Sequence, residues 1–60
     1  MNSQEVKQIA SQILAGMLAN PHIYPKVSDE GGLGQQEQEL IIAAVEMAKK
    51  LLEKVEQINF

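Results

Sequence analysis

Cysteine is absent from this chain of 60 residues, which removes disulfides and every thiolate zinc site. Histidine occurs once, as His22, so a single chain has no histidine-rich metal site. Arginine is missing as well: the five basic residues are all lysines, against eight acids, for a net charge of −3. Arginine supplies the bidentate contacts to guanine and phosphate that dominate specific readout, and backbone attraction needs clustered positive charge. With neither, no nucleic-acid partner is expected. The longest apolar run, residues 40–45, is six residues long, far below the roughly 20 needed to span a bilayer. The opening "MNSQEVKQ" has no basic region followed by an apolar one, so no signal peptide is expected. The expectation is a soluble, cytoplasmic protein with no membrane partner.

A chain of this size buries only about 60% of the surface that its unfolded form exposes. Small scaffolds therefore lean on disulfides, a metal or self-association. Composition has removed the first two. Self-association is what remains.

What is present is helical period. Asn2 followed by Glu5 fits a capping box, with Ser3 as an alternative cap. From there Val6, Ile9, Ala10, Ile13, Leu14, Met17 and Leu18 recur at helical spacing and cover nearly half the circumference. Lys7, Ser11 and Gln12 take the other side. Pro21 ends this segment, because it lacks a donor and disfavours a helical Asn20 before it. The spacing predicts a first helix over about 2–19.

A second helix is predicted over about 35–58. Glu37 and Glu39 sit in its first turns, where acids favour the positive end of the helix dipole. Ile41, Ala44, Ala48, Leu51, Val55 and Ile58 then form an a/d seam, widened by Leu40, Val45, Met47 and Leu52. Glu46, Lys49, Lys50, Glu53, Glu56 and Gln57 gather on the opposite face. Glu46–Lys50 and Lys49–Glu53 are spaced as i,i+4 pairs, contributing tenths of a kcal/mol each. That face reads as solvated surface. Ile42 projects toward it, as an isolated exposed side chain or as a contact for the loop or a partner.

No alternating β-branched run occurs, so the fold class is all-α: an antiparallel helical hairpin forming one domain over residues 1–60. Both stripes exceed 100°, more than one neighbour covers. Two hairpins related by a two-fold axis would close the surplus into a four-helix bundle, giving a homodimer. The seam residues Ile41, Ala44, Ala48, Leu51 and Val55 are the candidate interface. Small residues such as Ala10, Ala15, Ala43 and Gly16 favour close approach. Gly16 marks either a tight crossing or a tolerated surface glycine.

The connection, "NPHIYPKVSDEGGLG" over residues 20–34, is longer than the 2–8 residues usual between helices, and such loops are often functional. "GGLG" lacks the third glycine of a dinucleotide loop and the Gly-Lys-Ser/Thr of a phosphate loop. His22 has no nucleophile or second ligand at a recognised spacing. Asp29 and Glu30 have no EF-hand pattern around them. The second helix lacks the Glu-x-x-His of di-iron bundles. No catalytic residue, metal or cofactor is expected. Asn20 and Tyr24 each precede a proline, which predicts extended backbone. On that reading Ile23 and Tyr24 plug the open end of the hairpin, with the tyrosine hydroxyl in water. Val27 and Leu33 would anchor the rest, and Gly31, Gly32 and Gly34 would form a flexible hinge.

"QILAGMLANP" (12–21), followed by "LIIAAVEMAKKLLE" (40–53), resembles a class of short bacterial and phage-borne open reading frames. Those pair an "LxGLLANP"-like helix end with an alanine-rich "AxxLADxL"-like helix. The likeness covers about half the chain, and Gly31 to Gly34 departs from it. It implies a small helical accessory protein and assigns no activity or site residue. The function expected is a non-enzymatic interaction and oligomerisation module, with an unidentified protein as a further partner. The alternative is a small nucleic-acid-binding helical dimer, against which the lysines interleaved with Glu46, Glu53 and Glu56 argue.

Overall fold

A computed structural model describes residues 2–27, 29, 31 and 34–58. Two helices, α1 (Ser3–Leu18) and α2 (Gln35–Ile58), pack against each other. No strand occurs among the described residues. Asn2 is the cap of α1. Its backbone is extended (φ −84°, ψ 128°), and its Oδ1 accepts from the Gln4 N–H at 2.8 Å. That satisfies one donor of the first turn that has no partner inside the helix. Within α1, Ser11 Oγ donates back to the Lys7 carbonyl at 2.7 Å, which hides a hydroxyl otherwise competing for backbone partners.

The end of α1 needs no glycine. Ala19 remains right-handed (φ −82°, ψ −9°), and the Asn20 N–H turns back to the Met17 carbonyl at 3.2 Å. Asn20 then starts a second, shorter winding. Its Oδ1 accepts from the His22 N–H at 2.9 Å. Its carbonyl accepts from Ile23 N–H at 3.0 Å and Tyr24 N–H at 2.8 Å. Residues 21–23 form a turn, because Asn20 caps them as it would a helix. Pro21 then occupies the first position, where its missing N–H costs nothing.

α2 opens on Gly34, whose buried carbonyl accepts from the Gln38 N–H at 3.0 Å. Upstream, Gly31 has φ +64°, a left-handed backbone that glycine adopts without strain. Ser28, Glu30, Gly32 and Leu33 lie outside the described residues, so the Leu33 anchor, the Gly32 part of the hinge and the Glu30 carboxylate do too.

Where the helices meet, the side chains are small. Ala10 is 8% exposed, Ala44 1% and Ala48 0%. Val6, Ile9, Ile13, Leu14, Met17 and Val45 pack around them. Alanine lets the helix axes approach closely, so the pair is narrow and flat: the chain measures 43 × 21 × 14 Å. Fourteen ångströms is little more than the about 10–12 Å diameter of one helix with its side chains. Its radius of gyration, 13.0 Å, exceeds the about 10 Å expected of a compact 60-residue domain. The protein is a single layer of two helices.

The helices are also unequal. α1 has 16 residues and α2 has 24, lengths of about 24 and 36 Å. With Ala10 beside Ala44 and Ala48, the first turn of α1 ends opposite the region of Leu51 to Val55. The last turns of α2 extend past it.

Candidate interaction surface and the loop contact on helix 2

Two features stand out: a polar contact that ties the loop to α2, and a set of large apolar side chains left uncovered by the single layer.

The polar contact centres on Glu37, the third residue of α2 and 4% exposed. Its Oε2 accepts from the Tyr24 hydroxyl at 2.6 Å. Gln36 Nε2 donates to the Lys26 carbonyl at 2.7 Å and reaches Glu37 Oε2 at 3.4 Å. The loop is thereby fastened at Tyr24 and at Lys26. This corrects the expectation that the tyrosine hydroxyl points into water. A buried carboxylate must be hydrogen-bonded, and the tyrosine supplies the donor. The two residues expected to plug the hairpin take different positions: Tyr24 is half-buried on Glu37, whereas Ile23 is 45% exposed. Val27 lies exposed.

The burial of Glu37 was not anticipated, although its signal was present. Position 37 lies seven residues before Ala44, and two turns bring the chain back to nearly the same face. The carboxylate therefore shares the packing face with Ala44 and Ala48. It also sits in the first turn of α2, where negative charge is favoured by the dipole.

The candidate seam of α2 is divided by α1. Ala44 and Ala48 lie inside the hairpin, covered by α1, while Ile41, Leu51 and Val55 remain 38%, 48% and 40% exposed. Met47 at 46% and Ile58 at 59% belong to the same uncovered set. The two longer side chains near the end of α2, Val55 and Ile58, are exposed because α1 stops short of them. Ile42, 57% exposed, stands apart on the charged side. The ion pair seen there joins Lys50 Nζ to Glu53 at 3.7 Å, one residue closer in sequence than the spacings anticipated. Gly16 has nothing within 4 Å of where a Cβ would stand, so no element of its own chain crosses there.

One side of the layer carries a shallow groove of about 200 Å³ between the helices, lined by Leu14, Ile41, Val45, Ala10 and Ala44, with Lys7 and Ser11 on its rim. Its lining holds no histidine or carboxylate, and its polar groups are the Lys7 ammonium and the Ser11 hydroxyl, which donates to the Lys7 carbonyl. Among the described residues, no group of three histidines, cysteines or acids stands together as a metal site would require. His22 is exposed on the Asn20 turn. No described helix is long and apolar enough to cross a membrane. No protein-family model, curated protein or solved structure matches the chain.

Proposed function

We propose that this protein is a non-enzymatic helical interaction module that works as a homodimer, two hairpins closing into a four-helix bundle. One observation carries the reading. The folded chain exposes 4690 Å², whereas a compact monomer of 6.6 kDa exposes about 3,900 Å². The excess, about 800 Å², is what one partner contributes to an interface of standard size. The surplus is apolar where the large side chains lie, and a hairpin one layer thick lacks the second layer that a domain core needs. A second hairpin supplies that layer.

The module reading assigns no chemistry to the groove or to His22: the groove's Ser11 hydroxyl is spent on the Lys7 carbonyl with no histidine or carboxylate in the lining, and His22 is exposed on the Asn20 turn. Sedimentation equilibrium of the intact chain at micromolar concentration tests the assembly. A mass of twice the chain is expected. A folded, fully helical monomer under the same conditions would overturn the homodimer.

A further inference from the structure

We infer that the second copy sits on the face formed by Ile9, Ile13, Met47 and Leu51, with the two α2 helices antiparallel and crossing at Met47. This rests on the homodimer reading and adds to it the face, the orientation and the register.

The layer has two broad faces, and their side chains differ. At 100° per residue, Leu14, Lys7 and Ser11 of α1 turn to the same side of the hairpin as Ile41 and Val45 of α2. This is the groove side. A dimer closed there would bury the Lys7 ammonium and the rim of Ser11, and burying an unpaired charge is costly. The other side carries Val6, Ile9 and Ile13 on α1, unbroken by charge. On α2 it carries Leu40, Met47 and Leu51, with Lys54 about 20° from Met47, a charge that has the copy's Glu39 as its partner in the arrangement below, whereas Lys7 would have none. On α2 the exposures agree with this choice, while on α1 Ile9 and Ile13 are half-buried against the alanine core. Met47 and Leu51 stand 46% and 48% exposed, whereas Ile41 on the groove side is 38% exposed. A face 43 by 21 Å also matches the about 800 Å² per partner of a standard interface.

Charge sets the orientation. Looking down α2 from Met47, Glu39, Glu46, Lys50 and Lys54 all lie within about 100° on one flank. The acids precede Met47 and the lysines follow it. Flanking charges of this kind select partner orientation in helix pairs. Parallel helices would set acid beside acid and lysine beside lysine. Antiparallel helices crossing at Met47 place Glu39 opposite position 55 of the copy, next to the partner's Lys54. Glu53 lies farther round, at about 120°, where it meets Lys50 of its own chain at 3.7 Å. The same axis passes α1 near Ile9, so α2 meets its copy at the exposed Met47 and α1 meets its copy at the half-buried Ile9.

A chain without cysteine is suited to single-cysteine mapping. Met47→Cys places two thiols across the axis, within the about 4.4–6.8 Å Cα separation that a disulfide spans. Under mild oxidation at low micromolar concentration, Met47→Cys is expected to form covalent dimer about tenfold faster than Ile41→Cys on the groove side. Lys54→Cys alone should cross-link no faster than Ile41→Cys, but an equal mixture with Glu39→Cys should. Rapid cross-linking of Ile41→Cys with slow cross-linking of Met47→Cys would overturn the face, and rapid cross-linking of Lys54→Cys alone would overturn the antiparallel orientation. Sedimentation of each reduced variant separates the two levels. A reduced dimer that fails to cross-link at Met47 refutes this seat and leaves the homodimer standing, whereas a parent chain that sediments as a monomer refutes both.

Discussion

Replacing Tyr24 by phenylalanine removes one oxygen and little else, so its effect isolates the loop contact. The lost bond runs 2.6 Å from the tyrosine hydroxyl to Glu37 Oε2, and the acceptor residue is 4% exposed. A hydrogen bond to a charged group contributes about 1.5–3 kcal/mol. The ring and its packing survive, and Gln36 Nε2, at 3.4 Å, is too distant to replace the hydroxyl at full strength. The expected destabilisation is therefore about 1.5–3 kcal/mol per chain, a large share of the about 3–9 kcal/mol available to a 60-residue domain. Urea unfolding followed by far-UV circular dichroism reads it as a lower midpoint with an unchanged slope. A second variant tests the charge. In a Glu37→Gln background the acceptor is neutral, so Tyr24→Phe should cost only about 0.5–1.5 kcal/mol. If Tyr24→Phe alone lies within about 0.5 kcal/mol of the parent, the range of an exposed substitution, then the contact contributes nothing and the loop is held by other means.

Ala48→Glu places a carboxylate at a site that is 0% exposed beneath α1 and should cost several kcal/mol, seen as loss of helical ellipticity at 25 °C. Lys49→Gln, at an exposed position, should shift stability by less than about 0.5 kcal/mol in the same assay. Gly16→Ala adds a methyl that meets nothing within 4 Å, so it should stabilise α1 by up to about 1 kcal/mol and raise the thermal midpoint by several degrees. Asn2→Ala removes the cap on Gln4 and should cost about 0.5–2 kcal/mol, measurable as a lower urea midpoint.

How far the sequence could be read depended on the kind of question. Two apolar stripes of period 3.6, one opened by Asn2 and stopped by Pro21, were enough to identify a pair of packed helices. Such a period identifies a helix face but does not say which neighbour covers it. Ala44 and Ala48 were therefore read as a seam between chains, and α1 of the same chain covers them. Ile41, Leu51 and Val55, on the same stripe, stay open because α1 is narrow and eight residues shorter than α2. Element lengths and small-residue contacts decide that division, and neither appears in a hydropathy pattern. The loop was harder for a different reason. Its proline rules describe single residues, whereas Asn20 holds three residues at once, His22, Ile23 and Tyr24, through its side chain and its carbonyl. The partnership of Tyr24 with Glu37 spans 13 positions, beyond any local rule. Only the seven-residue step from Glu37 to Ala44 hinted that the carboxylate faces inward.

The placement of small and large side chains is the physical basis of the proposed assembly. An alanine core yields little hydrophobic stabilisation, because each methyl removes far less area from water than a leucine does. Among the described residues, no larger side chain falls below 2% exposure. The closeness that alanine permits instead draws the two helices into one thin layer and pushes Ile9, Ile13, Met47 and Leu51 toward its broad face. Fully burying a side chain such as Met47 or Leu51, 46% and 48% exposed, contributes about 1.5–3 kcal/mol, a gain that the hairpin contact leaves unused. Small residues within a layer and large residues on its face suit a structure completed by a second layer. In the proposed dimer, the lysines and acids flanking Met47 set which way that layer runs, the hairpin contact sets geometry, and association adds the burial that the alanine core lacks.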